Sequence, residues 1–186
     1  MRVEPLSIPD VKLLFPTRLA DERGYFSETY NRQAFENAGI DAQFCQDNHS
    51  LSVVNWTLRG LHYQAPPFAQ AKLVRVVSGA ILDVAVDARR GSPDFGRWVS
   101  ARLSSELGNQ LYVPSGFLHG FLTLEPHTEV SYKVSAHYDS DSDGAVLWND
   151  ADLAIEWGVS DPDVTLSKKD AAAPVWSDFE SPFTYT

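Results

Sequence analysis

The stretch that decides the fold class is KLVRVVSGAILDVAVDARRG, Lys72 to Gly91. It holds two β-branched runs broken at Ser78-Gly79, with Asp83 and Asp87 near or at the ends of the alternation. GRWVSARLS (96–104), NQLYVPSGFLHGFLTL (109–124) and TEVSYKVSAHY (128–138) continue in the same style, with Gly, Pro, Asn and Ser marking the turns. AVLWNDADLAIEW (145–157) adds short apolar pieces around an acidic turn. One segment reads as helix: NRQAFENAG, Asn31 to Gly39, opens on a capping residue, presents Ala34, Phe35 and Ala38 at helical spacing, and ends on glycine. Many short strands, few helices and no βαβ rhythm predict an all-β antiparallel sandwich or barrel, with the jelly roll the natural candidate because its interior can hold a ligand. The C-terminal VWSDFESPFTYT (175–186) reads as an irregular tail over an apolar surface.

The chain has 186 residues, 44% of them hydrophobic, which suits a single domain over residues 1–186 with a sizeable core. Fifteen basic against 25 acidic residues give a formal charge of −10, which argues against general affinity for nucleic acid or anionic membrane. A local cationic pocket would stand out against that background. Cys45 is the only cysteine, so no intrachain disulfide or thiolate metal cluster forms. The N-terminus lacks the apolar core of a signal peptide, and no apolar run reaches membrane-span length. These features predict a cytoplasmic protein.

Polar residues interrupt the strands at several places. LRGLHYQ (58–64) reads as a strand yet carries Arg59, His62 and Gln64. PSGFLHGF (114–121) sets His119 between two glycines at a strand start, SYKVSAHY (131–138) offers Tyr132, Lys133, His137 and Tyr138, and Lys72 begins a strand that otherwise reads as core. Together they predict a polar-lined cavity inside the barrel. A metal site is disfavoured, because HYQ stands where a metal-binding jelly roll needs His-x-His. No Gly-x-Ser-x-Gly elbow, Gly-x-Gly-x-x-Gly or phosphate-loop lysine motif is present. Acid–base chemistry by His, Tyr and Lys remains. In LSKKDAAAP (166–174), Ser167 and Asp170 have capping-box spacing; alternatively, Asp170 orients His62.

DERGYFSETY (21–30), QDNHS (46–50), LRGLHYQ, the run from Ala71 to Trp98, VPSGFLHGF (113–121) and LSKKD resemble, in order, the dTDP-4-dehydrorhamnose 3,5-epimerases. The resemblance covers nearly the whole chain. It implies a cupin-like jelly roll that works as a homodimer without metal or cofactor. The implied reaction converts dTDP-4-dehydro-6-deoxy-D-glucose to dTDP-4-dehydro-L-rhamnose, in dTDP-L-rhamnose synthesis. It further implies His62 as general base, Asp170 as its partner, Tyr132 as proton donor, and Lys72 beside the C4 oxygen. Arg23, Arg59 and His119 resemble residues around the diphosphate and ketosugar. Phe26, Glu28, Gln46 and Asn48 resemble nucleotide and sugar contacts, and Tyr138 a residue stacked on the base. Asn55-Trp56, Asp143 and the EWGVSD stretch depart from the family's usual residues.

Three alternatives stay open: a single-position epimerase acting at C3 or C5 alone, a metal-dependent cupin oxygenase or isomerase, against which the missing His-x-His argues, and a sugar-nucleotide binding module without turnover. One geometric difficulty remains. Strict alternation sends Arg59 and His62 to opposite faces of one strand. Either a bulge near Gly60 or delivery of Arg59 to a partner subunit resolves it, and the second is the favoured expectation. VKLLF (11–15) is expected to offer a strand to a neighbour's sheet edge.

Overall fold

A computed structural model describes residues 1–185; Thr186, the last residue of the predicted tail, lies outside them. The strands are β1 (Arg2–Pro5), β2 (Lys12–Phe15), β3 (Arg18–Asp21), β4 (Gly24–Ser27), β5 (Gln46–Ser52), β6 (Leu58–Gln64) and β7 (Lys72–Ser78). They continue as β8 (Ala80–Asp87), β9 (Arg89–Arg90), β10 (Trp98–Ser104), β11 (Gln110–Val113), β12 (Phe117–Thr123), β13 (Thr128–Val134), β14 (Asp143–Ala145) and β15 (Phe183–Thr184). Helices α1 (Arg32–Asn37) and α2 (Lys168–Ala171) complete the chain, with two single 3₁₀ turns.

Two antiparallel sheets face each other. One runs β1-β2-β11-β7-β13-β5 and the other β10-β8-β12-β6-β14. The two β-branched runs read from the sequence are β7 and β8, and they belong to different sheets. The chain crosses at Gly79, whose φ of +82° and close approach to the Thr128 backbone (3.2 Å from a Cβ built there) admit only glycine. Valines 74, 76 and 130 on one sheet meet Ile81, Ala85, Leu103 and Phe117 on the other, filling one end of the sandwich. The five-stranded sheet is covered on its back as well: Leu58, Leu61, Val84, Leu118 and Leu122 pack under Trp148, Trp157 and Phe183. All seven residues of β12 are consequently buried.

The predicted helix forms. The Asn31 side chain accepts from Ala34 N–H at 3.2 Å, and Phe35 packs with Leu14, Ile40 and Leu73 on the back of the six-stranded sheet. The C-terminal tail covers apolar surface as expected, through Trp176 and Phe179 and through β15, which pairs with β9. VKLLF does not offer a free edge: β2 pairs with β1 on one side and β11 on the other. The turn before β6 holds Trp56 at φ +54°. No helix among the described residues is long and apolar enough to cross a membrane.

Candidate active site

Beside the apolar core, bordered by Phe121 and Tyr132, lies a cavity lined with polar side chains, and β6 is the element that decides which of them face it. Alternation along β6 is broken once. His62 pairs with His119 and Arg59 with Phe121, so two residues of β6, Gly60 and Leu61, stand opposite Gly120 alone. This β-bulge shifts the parity by one. Leu58 and Leu61 both reach the apolar layer behind the sheet, while Arg59 and His62 both line the cavity in front. The favoured expectation for Arg59 is therefore corrected: its own chain delivers it to the same cavity as His62. Gly60 allows this with a φ of +132° and a backbone so close to β12 that an added Cβ would sit 2.5 Å from the Gly120 Cα.

The cavity has two adjoining chambers. The inner one, about 210 Å³, is walled by Arg59, His62, His119, Phe121 and Asp170 on one side and Ser50, Lys72 and Tyr132 on the other. The outer one, about 260 Å³, shares His62, Lys72 and Tyr132 and extends to Gln46, Asn48, Gln64, Tyr138, Asp143 and Lys169.

His62 Nε2 donates to the Asp170 carboxylate at 2.5 Å, leaving the Nδ1 lone pair free. Asp170 also accepts from the Ser167 hydroxyl at 2.8 Å, while Ser167 Oγ accepts from Asp170 N–H at 3.1 Å as the cap of α2. Both readings of the LSKKD motif hold at once, since the cap of α2 orients the carboxylate toward His62. Burial opposes the Asp170 charge, but the bonds from His62 and Ser167 and the nearby Lys169 outweigh it and hold the acid below its usual range.

Tyr132 on β13 and Lys72 on β7 belong to the sheet facing His62. Burial pushes the Tyr132 hydroxyl up, so it stays protonated at neutral pH. Burial pulls Lys72 down to about 8, against the attraction of Asp83 and Asp143. His119 donates from Nε2 to Asp83 at 2.6 Å; burial pulls its pKa down despite that carboxylate. Asp83 is fully buried, with its second oxygen unpartnered among the described residues. It was legible only as an acid inside the apolar run ILDVAVD.

Arg59, with Nε 3.3 Å from Ser52 Oγ and Nη2 3.2 Å from Leu51 O, is held at the cavity rim. Gln46 and Asn48 bond to each other at 2.8 Å in the outer chamber, beside the largely exposed Tyr138. Arg23, Phe26 and Glu28 do not reach the cavity of their own chain. β3 and β4 pair only with each other, and Arg23 at the tip is exposed and bonded to Asp21. Sequence reading missed Gln70 and Lys169 as wall residues, because nothing marks that the segment before β7 and the start of α2 return to the cavity, whereas Gln64 stands out as a polar residue in LRGLHYQ. Among the described residues no three His, Cys, Asp or Glu side chains converge on a metal position.

A histidine–carboxylate pair and a tyrosine on facing sheets, with a half-buried lysine beside them, define an acid–base isomerase on a cupin-like jelly roll. The sequence profile of dTDP-4-dehydrorhamnose 3,5-epimerase matches residues 5–178. The chain is 50% identical to the dTDP-4-dehydrorhamnose 3,5-epimerase of Salmonella typhimurium, over 94% of this chain and 95% of that one. It superposes with a TM-score of 0.94, at 39% identity over 100% and 98% of the two chains, on the dTDP-6-deoxy-D-glucose-3,5-epimerase of Legionella pneumophila in complex with dTDP-4-keto-L-rhamnose. A 3'-monoepimerase from Streptomyces bikiniensis, in complex with dTDP-quinovose, is more distant, at 36% identity and a TM-score of 0.86 over 93% and 87% of the chains. The chain belongs to the dTDP-4-dehydrorhamnose 3,5-epimerase family.

Proposed function

We propose that this enzyme inverts C3 and C5 of dTDP-4-dehydro-6-deoxy-D-glucose, giving dTDP-4-dehydro-L-rhamnose. The carrying observation is that a base and an acid line one cavity from opposite sheets: His62 with Asp170 on one wall, Tyr132 on the other. Inversion needs this arrangement, because the proton must leave one face of the carbon and return to the other.

C3 and C5 both flank the C4 ketone, so either C–H is acidified. His62 Nδ1 takes the proton, and the C–H electron pair moves into the ring to leave an enolate oxygen at C4. The Lys72 ammonium, which has no hydrogen bond or ion pair to the described residues, is available to that oxygen. Tyr132 then gives its proton to the opposite face of the carbon; its phenolate recovers a proton from solvent, and His62 releases to solvent the proton it took. The same cycle at the second carbon completes the conversion. Arg59 suits the diphosphate. His119, whose Nε2–H is committed to Asp83, brings no full charge and suits the ketosugar wall instead. Gln46, Asn48 and Tyr138 serve the nucleotide half, with Tyr138 stacked on the base.

Arg23, Phe26 and Glu28 enter this reading through a homodimer in the cytoplasm. The β3–β4 hairpin is rooted by Arg18, which donates to the carbonyls of Ser105 and Glu106, and it holds Leu19, Tyr25 and Phe26 at 60–69% exposure. Such an arm suits insertion against a second copy, carrying Arg23 to that copy's cavity.

The test is deuterium incorporation from heavy water into dTDP-4-dehydro-6-deoxyglucose, with a ketoreductase trapping the product. Label at C3 and C5 with an L-rhamnose product is expected. Label and inversion at one carbon would mean a single-position epimerase, and no label would overturn proton abstraction.

A further inference from the structure

The segment 135–139 carries Tyr138 beside the outer chamber, and both His137 and Tyr138 are exposed. Glutamine side chains from other parts of the cavity wall tie this segment down. Gln46 accepts from the Tyr138 N–H at 3.1 Å, and Gln70 donates to the Ala136 carbonyl at 2.8 Å. Gln64 makes the largest set: its Nε2 donates to Phe68 O at 2.7 Å and His137 O at 3.1 Å, and its Oε1 accepts from Asp139 N–H at 2.9 Å. Gln64 therefore grips the backbone on both sides of Tyr138.

A glutamine amide has two N–H donors and one oxygen acceptor. In Gln64 both donors and the oxygen are committed to backbone, and the residue is 5% exposed. It lines the chamber without a donor left for a ligand. The sheet does not demand an amide here either, since Gln64 ends β6 and its three partners all lie outside the strands. A buried amide is costly unless bonded, so its value lies in the segment it orders. Gln64 is two residues from His62 on the same face of β6, so one strand fixes both the base and the loop beside the nucleotide chamber.

We propose that Gln64 is a positioning residue for the nucleotide half of the substrate, holding the 137–139 backbone so that the Tyr138 ring meets the base already ordered. This rests on the reading of Tyr138 as the stacking residue. An unordered loop must pay its ordering entropy on binding, which weakens affinity without touching the proton-transfer geometry.

The test compares Gln64→Met, similar in length but without hydrogen bonds, with Tyr138→Ala and the double variant. Calorimetry measures dTDP affinity, steady-state kinetics give KM and kcat, and thermal melts follow stability. For Gln64→Met, dTDP affinity is expected to fall about tenfold and KM to rise with it, while kcat changes less than about twofold. In the Tyr138→Ala background the same change should alter dTDP affinity by less than about twofold, because the ring it positions is gone. Unchanged dTDP affinity, an equal loss in kcat, or additivity in the double variant overturns the proposal. If Tyr138→Ala alone binds dTDP like the parent, the stacking reading falls and the proposal with it. If Tyr138→Ala weakens binding and Gln64→Met does not, only the proposal falls. Should Gln64→Met not fold, Gln64→Glu keeps the acceptor for Asp139 N–H and loses the donors; weaker dTDP binding supports the proposal and unchanged binding overturns it.

Discussion

Lys72 carries a charge into a cavity that disfavours it. Its pKa of about 8, against an ordinary 10.5, means that folding strains the protonated form that enolate stabilisation requires. The sign of the pH dependence follows. Below about 8 the ammonium is charged in the folded and unfolded chain alike and its burial cost is present in full; between 8 and 10.5 the folded chain has shed the proton and the cost fades. Lys72→Met should therefore be inactive yet more stable than the parent at pH 7, by about 1–3 kcal/mol, with the gap closing toward pH 10.5. Denaturant titrations at several pH values check the gap. In the parent, kcat/KM should fall above about pH 8 as Lys72 loses its proton. Tyr132→Phe separates the two halves of the reaction: His62 still exchanges deuterium into the ketosugar, while inverted product falls by about 10²–10⁴-fold, as NMR of the trapped product would report. At this scale the sequence was informative wherever a polar residue broke an apolar pattern. Lys72 at the head of a core strand and His62 within LRGLHYQ both stood out. Asp170 did not pair with His62 by spacing, since 108 positions separate them and only the fold brings the cap of α2 to β6.

Strand β6 shows why one residue can decide what a pattern cannot. Hydrophobic alternation made the segment a strand, but its faces were misread because a bulge adds one residue without changing the composition. Burying Leu58 and Leu61 behind the sheet stabilises the fold by ~1.5–3 kcal/mol per side chain relative to exposure, and both reach that layer only if the parity shifts between them. Arg59 and His62 share the cavity as a consequence. Gly60→Ala should then harm both fold and activity, because the added Cβ meets the Gly120 backbone at a φ of +132°. Overpacking of this kind costs about 1–3 kcal/mol, or a fall in Tm of roughly 2–12 °C for a chain of this size, with greater loss of kcat than of dTDP binding. Scanning calorimetry with steady-state kinetics would show it, and a variant with parental Tm and kcat would refute the role given to Gly60. The jelly roll itself was legible from turn spacing and β-branched runs. That Lys72–Ser78 and Ala80–Asp87 divide between two sheets was not, because a hairpin and a crossover leave similar marks at Ser78-Gly79.

For the whole molecule, the β3–β4 arm leaves its own chain's cavity without Arg23, and the proposed homodimer would supply it from a second copy. The motif DERGYFSETY was recognisable in sequence, yet its destination was not, since an arm that pairs only with itself carries no record of the surface it covers. Exposed Leu19, Tyr25 and Phe26 on an acidic chain give a reason for two copies to associate, and a two-fold axis makes any exchange of arms reciprocal. Complementation distinguishes delivery between subunits from delivery within one. Arg23→Ala should raise KM and His62→Asn should abolish turnover, so each homodimer alone is poor at low substrate. When the two are unfolded together and refolded, about half of the dimers pair one chain of each kind. In such a dimer the Arg23→Ala chain keeps His62 and receives an intact arm from its neighbour, while the other site lacks both groups. Activity at low substrate should rise to about a quarter of the parent level, from one competent site in each mixed dimer. If each arm serves its own chain, no site in the mixture combines Arg23 with His62, and mixing leaves activity at the mean of the two parents.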